Sequence, residues 1–166
     1  MSDISSKEIP EATRPDFEGY GISTESEGML PWSFVEEEMV QARNYWICST
    51  WPDGRPHAAP VWGVWVAGLV YFGSGEQSRK AKNLRANPEV VVHSESGDRA
   101  VIIEGRAEIR THFPPELTAI INEQYAAKYD GFTLGEEVGG LFVVTPRQVF
   151  AWLEQDYPNT ATRWRL

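Results

Sequence analysis

Short runs of β-branched and aromatic residues, cut by tight turns, constrain this chain more than any other feature. Tyr45–Thr50 reads as a strand. Pro52-Asp53-Gly54 then turns the chain, because Pro presets φ and Asp-Gly tolerates positive φ. A second strand, Arg55–Val66, is turned by Ala67-Gly68 into a third, Leu69–Phe72. Pro60 cannot donate to a ladder and marks an edge, a bulge or a barrel rim. Glu89–Ser94 and Ala100–Arg110 form two more strands around Ser96-Gly97-Asp98, with a bend at Gly105. Leu141–Val144 and Gln148–Trp152 make a last strand or strand pair around Pro146. Strands joined this closely pair as antiparallel neighbours. The pattern therefore argues for a small antiparallel barrel and against repeated βαβ units and a Rossmann sheet.

Three helices interrupt the strands. Ser33 and Glu36 match a capping box and predict a helix over Phe34–Arg43, with Phe34, Val35, Met39 and Ala42 toward the core. Ser78–Ala86 is ended by Asn87-Pro88, since Pro disfavours a helical residue before it. Pro115–Tyr129 places Leu117, Ile120, Ile121 and Tyr125 on one face. The predicted organisation is an acidic, flexible arm over 1–30, a barrel domain over 31–155 and a tail over 156–166.

The net charge of −9 over 166 residues sits almost wholly in the first 38, which hold ten acids against Lys7 and Arg14. An acidic chain repels phosphate backbones and anionic lipid, so neither nucleic acid nor membrane is an expected partner, while the near-neutral body can still hold an anion. The longest uncharged apolar run, Ala58–Gly73, is shorter than the roughly 20 residues a membrane helix needs and is broken by Pro60, Gly63 and Gly68. Cys48 is the single cysteine, and the opening residues have neither the basic nor the apolar block of a secretory signal, so a cytoplasmic location is expected.

Gln77–Arg85 holds four bases and no acid at a helix start, where cations oppose the macrodipole unless an anion docks among them. Ser78 can cap the helix or donate to that anion, Lys80 and Asn83 share a face, and Arg79 lies beside them. These bases can equally be a solvated surface. Phe72-Gly73-Ser74-Gly75 allows close backbone approach to a ligand, but it is no Walker loop, and no G-x-G-x-x-G follows a strand. His57, His93 and His112 have no second ligand at metal spacing, so no metal site is expected. Cys48 reads as a small buried hydrophobe, and no serine sits in a G-x-S-x-G elbow. Trp46, Trp62, Trp65, Trp152 and Trp164 supply core or dimer contacts, and one or two can line a planar ring. An aromatic slot beside a helix-held phosphate is what a flavin requires.

The order Trp46–Thr50, Asp53-Gly54-Arg55-Pro56-His57, Pro60-Val61-Trp62, Tyr71-Phe72-Gly73, Ser78–Leu84 and Asn87-Pro88, continuing through Val90–His93 and Val101–Glu108, resembles the pyridoxamine 5′-phosphate oxidase-like, FMN-binding split-barrel family. Thr162-Arg163-Trp164 is similar to tails in a branch with deazaflavin-dependent members. The resemblance implies a mainly β, six-stranded antiparallel split barrel of Greek-key type with short flanking helices, forming homodimers with two cofactor sites at the interface. It implies that Lys80, Arg79, Ser78 and Asn83 hold the cofactor phosphate, that Gly73 and Ser74 add backbone and hydroxyl contacts, and that His57, Pro60, Val61 and Trp62 lie along the ring. No catalytic acid or base is implied. The cofactor is FMN or the deazaflavin coenzyme F-420, and Lys82 and Arg85 can form a basic rim for the latter's tail. Where true pyridoxamine phosphate oxidases carry an R-x-V-L-L-K-like segment, this chain reads Pro60–Trp65, so vitamin B6 oxidation is not implied. The expected function is an oxidoreductase passing hydride between the cofactor and a small organic substrate; the alternative is a non-catalytic flavin or haem carrier or sensor.

Overall fold

A computed structural model describes residues 9–135 and 140–166. Its strands are β1 (Ala12–Thr13), β2 (Asn44–Thr50), β3 (Pro56–Val66), β4 (Leu69–Phe72), β5 (Glu89–His93), β6 (Arg99–Arg110), β7 (Leu141–Leu153) and β8 (Thr162–Arg165). Its helices are α1 (Trp32–Gln41), α2 (Arg79–Ala86), α3 (Pro115–Lys128) and the short α4 (Tyr157–Thr160). The strands β2-β3-β4-β7-β6-β5 pair in that order, every pair antiparallel, and β5 returns to β2. The result is a closed antiparallel barrel, as the turn rhythm implies, with the six strands that the family resemblance implies. Ile47, Val92, Val101, Ile103, Val144 and Val149 point into it. Val64, Tyr71, Val143 and α3 build a second apolar layer outside it.

β7 is one strand, not two pieces broken at Pro146. It pairs with β6 along its length, while its other edge meets β4 through Val144 and β8 from Gln148. Pro146 falls in the gap between those two partners, where a missing N–H costs least. Opposite it, β6 bulges at Glu104/Gly105. A Cβ on Gly105 would stand 2.4 Å from the Thr145 carbonyl oxygen, so only glycine fits this crossing.

One expectation is corrected. The capping box at Ser33 does not form: α1 starts at Trp32 with extended Pro31 as its cap and no side-chain cap bond. Pro sets the residue where the helix begins, and Trp32, buried at the edge of Trp164, makes the earlier start favourable. The expected N-terminal arm, from residue 9 onward, lies against the barrel. Ala12 pairs with Trp164 and Thr13 with Arg163. The Arg14 guanidinium donates to the carbonyls of Glu25, Glu27, Asn159 and Ala161 at 2.7–2.9 Å. Phe17 packs on Phe150 at 5.4 Å. The part of that expectation covering residues 1–8 lies outside the described residues.

Candidate functional site

The β2–β3 hairpin and the start of α2 meet at one end of the barrel. Ser49 and His57 are direct cross-strand partners. Asn83, fully buried on α2, donates from Nδ2 to Ser49 Oγ at 3.1 Å and so fixes the helix to β2. Among the described residues its Oδ1 is buried without a partner, as is His57 Nδ1. Buried polar atoms are nearly always satisfied, so two orphans at one place mark where an outside group completes the bonding.

Ser78 caps α2 by accepting from the Ala81 N–H at 3.2 Å, and its hydroxyl meets Ser74 Oγ at 2.7 Å. The first turn carries no acid. Arg85 folds back on Glu76, but among the described residues Arg79, Lys80 and Lys82 form no ion pair. Arg79 instead lies on the Trp51 ring at 3.7 Å, with Arg55 at 4.4 Å from the same ring and His57 edge-on at 6.4 Å. Arg55 pairs with Asp53 at 2.9 Å, so the helix N-terminus keeps its positive potential with Arg79, Lys80 and Lys82 as its uncompensated cations among the described residues. That is the electrostatics of an anion site.

Gly73 and Ser74 follow β4, whose last residue, Phe72, pairs with Gly63. β4 leaves β3 there. Residues 56–62 of β3 therefore pair with β2 on one side and, among the described residues, have no strand on the other. This open edge presents backbone donors and acceptors beside the Gly73–Ser78 loop. Strand alternation divides the expected ring-lining residues. His57 and Val61 turn toward the barrel side, whereas Pro60 and the half-exposed Trp62 face outward. Trp62 stacks on Tyr129 at 4.4 Å and 9°.

The structure thus brings Ser74, Ser78, Arg79, Lys80 and Asn83 together with His57, and sets Pro60 and Trp62 on the neighbouring outer face. Trp51 was missed in the sequence. The signal was a large apolar ring at the lip of an otherwise polar turn, four residues before Arg55. Cys48 is half-buried on the outer side of β2 and not in the core as expected, and burial pushes its thiol up. Among the described residues no group of His, Cys, Asp or Glu is arranged to hold a metal, and no helix is long and apolar enough to cross a membrane.

No curated protein sequence matches the chain. Among solved structures it is similar to a conserved hypothetical protein from Mycobacterium tuberculosis, with 24% identity and a TM-score of 0.61 over 75% of this chain and 85% of that one. An F-420 reductase matches with 21% identity and a TM-score of 0.52 over 69% and 94%. A FAD-binding protein from Mesorhizobium loti matches with 18% identity and a TM-score of 0.58 over 81% and 93%. These identities establish the shared fold. The sequence profile of the pyridoxamine 5′-phosphate oxidase family matches residues 35–153, from α1 to the end of β7, and the chain belongs to that family.

Proposed function

We propose that this protein is a cytoplasmic, homodimeric oxidoreductase that binds FMN or the deazaflavin coenzyme F-420 and transfers hydride to or from a small organic substrate. The observation that carries the proposal is the acid-free start of α2, where Arg79 and Lys80 have no counter-charge and Ser74 and Ser78 offer hydroxyls. The names of an F-420 reductase and a FAD-binding protein among the similar structures support a flavin-type cofactor. In this reading Lys80 and Arg79 neutralise the phosphate, and Ser74, Ser78 and the backbone at Gly73 orient it. Asn83 holds α2 in place and offers its free Oδ1 to the ribityl chain. The open edge of β3 between His57 and Trp62 meets the polar rim of the ring, with Val61 on one side of the strand and Pro60 and Trp62 on the other. The bound tricycle supplies the hydride chemistry; the chain's residues bind, orient and exclude water.

The dimer is proposed from the outer face of β2, β3 and β5. Trp46 and His93 stack there at 6.3 Å and 8°, next to Pro60, and Trp62 remains 47% exposed. An aromatic face of this kind on a sheet is suited to burial against a second copy.

The test is a parallel titration of cofactor-free protein with FMN and with F-420, followed by ligand and tryptophan fluorescence. One of the two binds, and Lys80→Ala weakens it by about 1.5–3 kcal/mol, roughly ten- to a hundredfold, with the fold unchanged. Binding of neither, with a Soret band on haem addition that His57→Ala or His93→Ala abolishes, would establish the carrier reading instead.

A further inference from the structure

At the opposite end of the sheet from α2 lies a cavity lined by aromatic residues. Its place follows from the register: Trp152 pairs with Ala100, beyond the Ile102–His93 and His93–Trp46 pairs, whereas Ser49 and His57 close the other end. The cavity has a volume of about 600 Å³, and Phe17, Tyr20, Trp152, Tyr157 and Glu154 line it. Adjacent rings stand steeply to one another. Phe17 and Tyr20 meet at 67°, Tyr20 and Tyr157 at 64°, and Trp152 and Tyr157 at 85°, with centroids 5.4–6.5 Å apart. These are the walls of a box and not a stack.

Three observations give the box a preference. First, Tyr20 is 67% exposed, so its face is not satisfied by packing. Second, the chain lays Arg or Lys over Trp51, Phe34, Tyr45 and Tyr129, yet among the described residues none covers Phe17, Tyr20, Trp152 or Tyr157. Third, the only charges within two residues of these walls along the chain are the acids Asp16, Glu18, Glu154 and Asp156, and Glu154 forms no ion pair among the described residues. Electron-rich ring faces around a space edged by a free carboxylate favour a cation too large and too weakly hydrated to stay in water. The walls also come ready-made. Arg14 ties the loop that carries Phe17 and Tyr20 to the segment that carries Tyr157, and Ser23 N–H donates to the Pro158 carbonyl at 2.9 Å. Little order remains to be imposed on binding.

We infer that this box is a binding site for a small alkylammonium cation, with the ring faces around the methylated nitrogen and Glu154 as its counter-charge. The site is independent of the proposed cofactor site.

The test titrates the full chain with choline and with 3,3-dimethyl-1-butanol, which replaces the quaternary nitrogen by carbon at the same shape. Trp152 reports the binding through its indole N–H resonance. Choline should shift that resonance saturably, the neutral alcohol should bind about tenfold more weakly or less, and Glu154→Gln should weaken choline several-fold. Tyr20→Leu should abolish the difference between the two probes, and because Tyr20 is largely exposed this variant keeps the barrel intact. Equal affinity for the two probes, undiminished choline binding in Tyr20→Leu, or retention on phosphatidylcholine vesicles without saturable binding of free choline would each overturn the assignment.

Discussion

Lys128 is a partly buried amine whose surroundings disfavour its charge. Its Nζ donates to the Gly63 carbonyl at 2.8 Å and to Tyr45 OH at 3.2 Å, and lies 4.4 Å from the centre of the Tyr45 ring. Burial lowers its pKa to about 8, against a weaker opposing effect from Glu95. Burial also raises Tyr45, Tyr125 and Tyr129 around it. The unfolded lysine holds its proton up to its ordinary value near 10.5, so between pH 8 and 10.5 the unfolded chain binds more protons and this group's contribution to stability rises with pH. The same contribution is lost as pH falls through 8. The tyrosines act in the other direction above their ordinary value of 10, where the unfolded phenols ionise first. Thermal melts from pH 7 to 9.5 should therefore show a rise in Tm relative to Lys128→Met, which lacks the titrating amine. Parallel pH profiles for the two proteins would exclude an effect of Lys128.

At the scale of elements, the loop between β1 and α1 is fastened mainly by one side chain. Arg14 donates to two carbonyls within that loop, Glu25 and Glu27, and to two in a distant segment, Asn159 and Ala161. Arg14→Ala should cost about 1–2 kcal/mol, a fall in Tm of roughly 2–8 °C for a chain of this length. An unchanged melt would show that the strand pairing alone retains the arm. None of this fastening was readable in the sequence, because an arginine among acids and glycines does not reveal which distant carbonyls it will meet. β8 escaped for a related reason. Thr162 and Trp164 turn inward and Arg163 and Arg165 outward, but two periods of alternation in a charged tail make a faint signal. Elements governed by local chemistry were legible: the Asp53-Gly54 turn, the Ser78 cap and Pro88 stop of α2, and the Gly105 bend. At the candidate site the charges and hydroxyls of α2 could be read in order. Trp51, the ring that gathers Arg55, Arg79 and His57, could not, since its role depends on a contact between hairpin and helix.

For the whole molecule, the proposed dimer places the outer face of β2, β3 and β5 in an interface. Sedimentation should give twice the 18.7 kDa chain mass. Trp46→Glu, which puts a charge beside His93 on that face, should shift the equilibrium to monomer and weaken cofactor binding with it. A wild-type chain that sediments as a monomer would remove the shared site. The pairing of Ala12 with Trp164 also has a consequence for how the protein is made. The arm's strand partner lies about 150 residues later in the chain. The residues of β1 therefore leave the ribosome about 150 residues before those of β8, and their pairing is a late, long-range contact. A waiting strand is at risk of pairing with the wrong chain. The ten acids among the first 38 residues give this part of every copy the same charge, which disfavours pairing between copies.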